Sequence, residues 1–279
     1  MIPARFDYEV AESVEHAVGL LAADADARLL AGGHSLLPAM RLRLARPSLL
    51  VDVGRLADLS YVRDDGPHLA IGALTRHADV GADDMLREHC GIVADAASRI
   101  GDPQVRHRGT IGGSLAHGDP ASDLPAVMLA LGAELVAEGA GGQRVIPATS
   151  FFTGPFATAL QPAEMLVEVR VPKLAETTGW SYLKAHRRAQ DWATVGVAVV
   201  LHRANGGVDS ASIALVSMGG TPLRAGAAED ALTSGASVAD AAAVVAEGTS
   251  PPSDHAGSSE YRAHLARVLA GRAIERALA

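Results

Sequence analysis

Two glycine pairs are the residues whose type and spacing most directly suggest chemistry. Ala31-Gly32-Gly33-His34-Ser35-Leu36 stands where a short apolar run, Arg28 to Ala31, hands over to a helical pattern. Glycines at such a junction let backbone N–H groups reach an anion with no Cβ in the way, and a helix N-terminus adds partial positive charge. The same residues also suit an ordinary tight turn between a strand and a helix. Thr110-Ile111-Gly112-Gly113-Ser114 repeats the pair far along the chain, between hydroxyl residues that can donate to phosphate oxygens. Two such loops could grip the two phosphates of one dinucleotide from two sides. The pattern is not the single-loop dinucleotide fingerprint, because no G-x-G-x-x-G occurs. Neither lysine follows a glycine, which excludes a P-loop, and no G-x-S-x-G hydrolase elbow is present.

Other candidates are more ambiguous. Asp119, Ser122 and Asp123 follow the second glycine pair and could cap a helix beginning at Leu124. A carboxylate beside a dinucleotide could equally accept hydrogen bonds from ribose hydroxyls. Lys184, His186, Arg187, Arg188, Asp191 and Trp192 form a polar cluster between two strand-like runs. The cluster reads either as a solvated hairpin connection or as a cation and an indole placed against an electron-accepting ring. The histidines show no metal spacing: there is no H-E-x-x-H, and His77, His89, His107 and His117 read as surface or loop residues. His34, inside a glycine loop, is the exception. Cys90 is the sole cysteine, so the chain cannot ligate an iron–sulfur cluster, build a structural cysteine zinc site or form an internal disulfide.

These residues need a scaffold. Val14, Ala17, Val18 and Leu21 recur at helical spacing after a capping Ser13, and strands are expected around Arg28–Ala31 and Leu49–Val53. The first 55 residues therefore read as β-α-β-α-β with a parallel or mixed sheet. Tyr61 to Ile71 reads as a hairpin turning at Asp65-Gly66, followed by helices at about 77–87 and 91–99. Residues 101–122 read as a Gly/Asp/Pro/His-rich loop. An apolar helix follows over Leu124–Leu131, then a second hairpin and a strand closed by Pro172. Beyond a boundary near Thr177, three antiparallel strands and three helices form an α+β unit, with turns at Asn205-Gly206-Gly207 and Gly219-Gly220.

The chain has 279 residues, 48% apolar and 20% charged, enough for a substantial core. A net charge of −8 and a pI near 5.7 argue against nucleic-acid binding. The longest uncharged run, Val145 to Ala163, contains three prolines and is no membrane span. The N-terminus lacks a basic stretch followed by an apolar run, so a cytoplasmic protein is expected.

At this point a family resemblance emerges. Ala31 to Pro38 resembles the first flavin loop of the medium, FAD-binding subunit of aerobic carbon monoxide dehydrogenases. Thr110 to Pro125, TIGGSLAHGDPASDLP, resembles the second loop, and Tyr182 to Gly196 the opening of the family's C-terminal domain. The resemblance implies an α+β fold: an FAD-binding domain of the vanillyl-alcohol oxidase (PCMH) type over residues 1–176, with subdomains of about 1–55 and 56–176. A small domain of a three-stranded antiparallel sheet and helices would follow over 177–279.

The resemblance also implies a role. Such a subunit holds FAD noncovalently and takes electrons from [2Fe–2S] clusters on a small subunit. Those clusters are fed by a molybdenum cofactor on a large subunit. FAD passes the electrons to a quinone, with peripheral membrane contact, or to another acceptor. The assembly would be a dimer of heterotrimers, a heterohexamer, in which this chain contributes no catalytic residue or metal ligand. Residues 31–36 and 110–114 would bind the pyrophosphate, so a side chain at Gly112 or Gly113 should expel FAD and leave the fold intact. Ile100 would lie near the adenine side, Asp123 would contact FAD, and Leu166, Lys184 and Trp192 would lie near the flavin ring. His34 stands where relatives often carry Gln. The alternatives are the medium subunit of a purine, aldehyde or N-heterocycle dehydrogenase, and a stand-alone FAD-dependent oxidase or reductase.

Overall fold

The computed structural model describes residues 2–204 and 207–279. Strands β1 (Asp7–Val10), β2 (Arg28–Leu30) and β3 (Leu49–Asp52) form a parallel sheet in the order β1-β3-β2. Helices α1 (Val14–Ala23) and α2 (Leu36–Arg41) connect them, as the βαβαβ pattern requires. Ala17, Val18 and Leu21 share the buried face of α1, and Ser13 Oγ accepts the His16 N–H at 3.1 Å to start it. This face shares a core with Val136, Met165 and Val167 of the next sheet.

That next sheet is antiparallel and five-stranded, ordered β4-β5-β10-β6-β7. Its first hairpin is β4 (Val62–Asp65) and β5 (His68–Gly72). Six helices come before the sheet resumes: α3 (His77–Ala82), α4 (Asp84–His89), α5 (Gly91–Ser98), α6 (Pro103–Arg106), α7 (Ile111–His117) and α8 (Asp123–Leu131). Strands β6 (Glu134–Gly139) and β7 (Gly142–Pro147) form the second hairpin. After α9 (Ala148–Phe151), β8 (Phe152–Gly154) and β9 (Ala157–Thr158) pair with each other, and β10 (Met165–Pro172) returns to the centre of the sheet. Apolar residues of α5, α7 and α8 bury against β5, β6 and β10.

The remaining chain forms the antiparallel sheet β11-β12-β13-β14, from β11 (Thr178–Ala185), β12 (Val195–Ala204), β13 (Gly207–Val216) and β14 (Leu223–Arg224). Helices α10 (Gly226–Thr233), α11 (Val238–Val244) and α12 (Ser259–Leu278) complete it. Strand β12 is buried on both faces, which explains its unbroken apolar run. Val195, Val197, Val199 and Leu201 face the core built by α10–α12, while Ala198 and Val200 join the core of the second sheet.

The structure departs from the sequence expectations at identifiable points. The last sheet has a fourth strand, β14, which pairs through Leu223 and Arg224 and is too short to give a periodic signal. The helix expected over 77–87 is two helices, because Asp83 adopts extended backbone (φ −69°, ψ 124°) and its carboxylate caps α4 by accepting the Leu86 N–H. The turn expected at Asn205-Gly206-Gly207 lies partly outside the described residues. The stretch read as a loop over 101–122 contains α6 and α7. Asp102 caps α6 with Pro103 in its first turn, and Thr110 Oγ1 caps α7 by accepting the Gly113 N–H at 3.1 Å.

The second glycine pair is thus the first turn of a helix, and its two members differ. The Gly112 N–H donates to Ala73 O at 2.8 Å, and a Cβ on Gly112 would lie 2.5 Å from Ala73 Cβ and 2.7 Å from Ala73 O. A Cβ on Gly113 would crowd only the movable Thr110 hydroxyl. The expectation that either glycine can be replaced with the fold intact therefore fails for Gly112. Gly112→Val should cost stability of about 1–3 kcal/mol through overpacking, and Gly113→Val less. Urea unfolding of both variants without cofactor measures this. Equal losses would contradict the packing described.

Candidate functional site

A cavity of about 830 Å³ opens where the three sheets meet, inside the range of about 300–1,000 Å³ usual for small-molecule and cofactor sites. One wall is the β2–α2 junction, Ala31 to Leu36. A second combines Ala73, Leu74, Ile100, Gly101 and the start of α7. A third runs from Leu160 to Leu166, and the β11–β12 connection closes the last side with Lys184, Gln190, Asp191 and Trp192.

Close backbone contact brings the two glycine pairs together. A Cβ on Gly32 would collide with the main chain of Arg108 and Gly109. Gly33 holds φ +77°, which turns the chain from β2 toward α2 and favours glycine. Among the described residues, the N–H groups of Gly32, Gly33, His34 and Ser35 find no protein acceptor. The other pair differs. Ile111 N–H donates to Thr75 O, Gly112 N–H to Ala73 O, Gly113 N–H to Thr110 Oγ1 and Ser114 N–H to Thr110 O. The first loop therefore offers backbone donors to an anion, and the second offers the Thr110 and Ser114 hydroxyls beside Gly113.

Lys184 is neither a solvated hairpin residue nor a free cation. Its Nζ lies 2.9 Å from Asp123 Oδ2 and 3.3 Å from Arg99 O. The two side chains are 2% and 3% exposed. Tyr182, two residues earlier on β11, donates its hydroxyl to Asp123 Oδ1. Gly196 lies opposite Lys184 in the register with β12, and a Cβ there would come within 2.8 Å of the Tyr182 oxygen. Burial pushes the Asp123 carboxyl above its ordinary range, opposed by the Lys184 ammonium and the Tyr182 hydroxyl. Burial also drives the Tyr182 phenol well up. Asp123 does not cap α8; both its oxygens serve β11.

Of the remaining expected residues, His34 is exposed at the rim, and Ile100 and Leu166 present apolar surface to the cavity. Trp192, 54% exposed, stands at the mouth. Ile111 does not reach the cavity: as the first residue of α7 it is fully buried in the central core. The structure adds residues that the sequence reading missed. Glu164 lines the cavity with its carboxylate held by Arg144 at 2.6 and 2.7 Å. His77, read as a surface residue, is 4% exposed and lines the cavity. The available signal was its spacing from Val80, which places both on the buried face of α3. Cys90 is fully buried, and burial pushes its thiol up to about 12, too high to supply a thiolate.

The ion pair gives a pH-dependent expectation. Lys184→Met leaves the Asp123 carboxyl buried without its cation, a loss of about 3–5 kcal/mol near neutral pH. The folded variant then holds a proton on Asp123 that the unfolded chain releases at ordinary carboxylate pH, so stability falls as pH rises. The deficit against the parent chain should be smallest below the ordinary carboxylate range and should grow as pH rises above it. Thermal melts of both chains at acidic and neutral pH test this, and a pH-independent deficit would contradict it.

Comparison with known proteins agrees with this geometry. Residues 4–174 match the family model described as the FAD binding domain in molybdopterin dehydrogenase, and residues 180–277 the CO dehydrogenase flavoprotein C-terminal domain. The carbon monoxide dehydrogenase medium chain of Hydrogenophaga pseudoflava is 42% identical over 100% of this chain and 99% of its own. The 6-hydroxypseudooxynicotine dehydrogenase complex subunit alpha of Paenarthrobacter nicotinovorans is 40% identical over 100% and 96%. A solved carbon monoxide dehydrogenase from Hydrogenophaga pseudoflava, lacking the Mo-pyranopterin moiety of its molybdenum cofactor, superposes with a TM-score of 0.96 at 43% identity, covering 100% and 99% of the two chains. An unpaired set of backbone donors at a cofactor-sized cavity and a match along the whole chain lead to one conclusion: this chain belongs to the family of FAD-binding medium subunits of molybdenum hydroxylases, to which the carbon monoxide dehydrogenase medium chain belongs.

Proposed function

We propose that the chain holds FAD noncovalently in this cavity and serves as the electron-transfer subunit of a cytoplasmic, carbon monoxide dehydrogenase-like complex. Its electrons come from [2Fe–2S] clusters of a small partner subunit, supplied by a molybdenum centre on a large one. They leave to a quinone at a membrane surface or to another acceptor. The observation that carries this reading is the row of unpaired N–H groups from Gly32 to Ser35, residues that line a mostly apolar cavity. That is the donor set for an anionic phosphate beside walls for flat rings. When bound, FAD supplies the ability to take up two electrons and release them singly or together.

This chain's residues bind and orient. The first-loop N–H groups and the Thr110 and Ser114 hydroxyls are placed for phosphate oxygens. Leu166 and Trp192 supply apolar cover. The Lys184–Asp123 pair presents a fixed, internally balanced dipole rather than a lone positive charge. With one inert thiol, the chain has no ligands for an iron–sulfur cluster, so the clusters belong to a partner. Among the described residues, no helix is long and apolar enough to cross a membrane, so contact with a quinone pool would be peripheral. Two relatives of nearly equal identity carry the names of different substrates, so the substrate is set on another subunit. A dimer of heterotrimers is the proposed assembly.

Three outcomes test this reading. The purified chain should carry about one flavin, released by acid as FAD; released FMN, or flavin that survives denaturation, would overturn the reading. Gly113→Val, whose side chain would crowd the Thr110 hydroxyl placed for a phosphate oxygen, should weaken FAD binding roughly ten- to hundred-fold while the chain stays folded. Substrate should reduce the flavin only in the complex with both partners. Rapid reduction of the isolated chain would mark a stand-alone oxidase or reductase.

A further inference from the structure

We propose that His77 is a phosphate-binding residue of this cavity, its imidazole Nε2–H donating to a phosphate oxygen of the bound dinucleotide. The inference rests on the dinucleotide reading above. It begins from a side chain that the fold does not explain. His77 is 4% exposed, its Nδ1 is enclosed, and its ring makes no hydrogen bond among the described residues. A buried polar ring without partners destabilises a fold, and an apolar ring of the same shape would fill the space better. Such a group calls for a ligand.

The backbone fixes where the ring sits. His77 N–H donates to Gly109 O at 3.0 Å, and Ile111 N–H to Thr75 O at 3.0 Å, so the start of α3 is zipped to the residues preceding α7. The imidazole edge lies over Gly109, where a Cβ would come within 2.8 Å of Cδ2 and 3.1 Å of Nε2. His77, Gly109, Thr110 and Gly113 all line the main cavity. Gly109 therefore leaves room for the ring edge beside the hydroxyls of the second glycine stretch.

The protonation state follows from the surroundings. Burial, then Arg106, Arg76 and His34, lower the imidazole pKa to about 4. At neutral pH the ring carries one proton for two nitrogens. A proton on Nδ1 would be an orphaned donor; on Nε2 it sits on the nitrogen beside Gly109, a residue that lines the cavity. The need for such a donor is visible on the same wall. The N–H groups of residues 111–114 are all consumed within the protein, so side chains must supply the donors on this side.

The decisive experiment uses the full-length chain with ¹⁵N-labelled histidine, its His77 resonances assigned by loss in His77→Phe. Titration with FAD or ADP should move the His77 Nε2 signal, and riboflavin and adenosine, which lack phosphate, should leave it in place. An equal shift with adenosine, or FAD binding with no shift, would overturn the proposal. In parallel, His77→Phe should weaken FAD binding roughly ten- to hundred-fold by fluorescence quenching. Its cofactor-free form should melt at or above the parent temperature, because an unpaired buried polar group has been removed. Parent-like FAD affinity in that variant would refute the assignment. If the parent chain binds no flavin at all, the reading of the cavity itself falls, and this one with it.

Discussion

A charge removed from water must be met by an opposite charge and by hydrogen bonds, or the group is expelled or neutralised. The Lys184–Asp123 pair satisfies this condition at the junction of three parts of the molecule. Lys184 comes from β11, Asp123 from the start of α8, and the second acceptor of the ammonium is the carbonyl of Arg99, just before Ile100 and Gly101. Tyr182 fills the remaining carboxylate position. No member can move without exposing another to an unsatisfied, low-dielectric site. The direction of α8, the 99–101 wall and the entry of the β11–β12 connection into the cavity are thereby fixed together.

A second constraint is how closely main chains approach one another. Gly32 against Arg108–Gly109, Gly112 against Ala73, and Gly179 against Ala277 are contacts with no room for a Cβ. They join the parallel sheet to α7, α7 to β5, and β11 to α12. Gly32 and Gly112, which look like ligand-binding residues, are therefore also assembly residues. The cavity exists because these contacts hold its walls at fixed separation. Gly113 is the exception: it packs on nothing rigid and faces the open space.

This division explains what could be read beforehand. The βαβαβ order, both hairpins and the long C-terminal helix were legible because periodicity and turn chemistry are local. The glycine pairs are a local signal too, and both line the cavity. Helix α7 was hidden because two glycines argue against a helix, and only the tertiary contact with Ala73 shows why Gly112 is tolerated there. The Tyr182–Asp123–Lys184 arrangement was hidden because its partners are 59 and 61 residues apart in sequence. His77 was misjudged because a histidine in a polar sequence context ordinarily faces water. Its burial is imposed by the pairing of the 75–77 segment with residues 109–111.

The cavity also shows why the two halves of the chain function as one unit. The segments from Ala31 to Leu166 supply the backbone donors, the hydroxyls and much of the apolar wall. Lys184 belongs to β11 of the C-terminal sheet, and Trp192 to the β11–β12 connection. Strand β12 carries one core on each face, so this sheet cannot shift relative to α8 without opening the central core. The sheet that carries Lys184 is therefore held by buried packing, whereas residues 186–190 and Trp192 of the β11–β12 connection are exposed. A subunit that relays electrons between partners benefits from such rigidity, because transfer depends on a ring held at constant distance and in constant electrostatic surroundings. A balanced ion pair and a sheet buried on both faces supply both, and neither requires this chain to recognise the substrate whose electrons it carries.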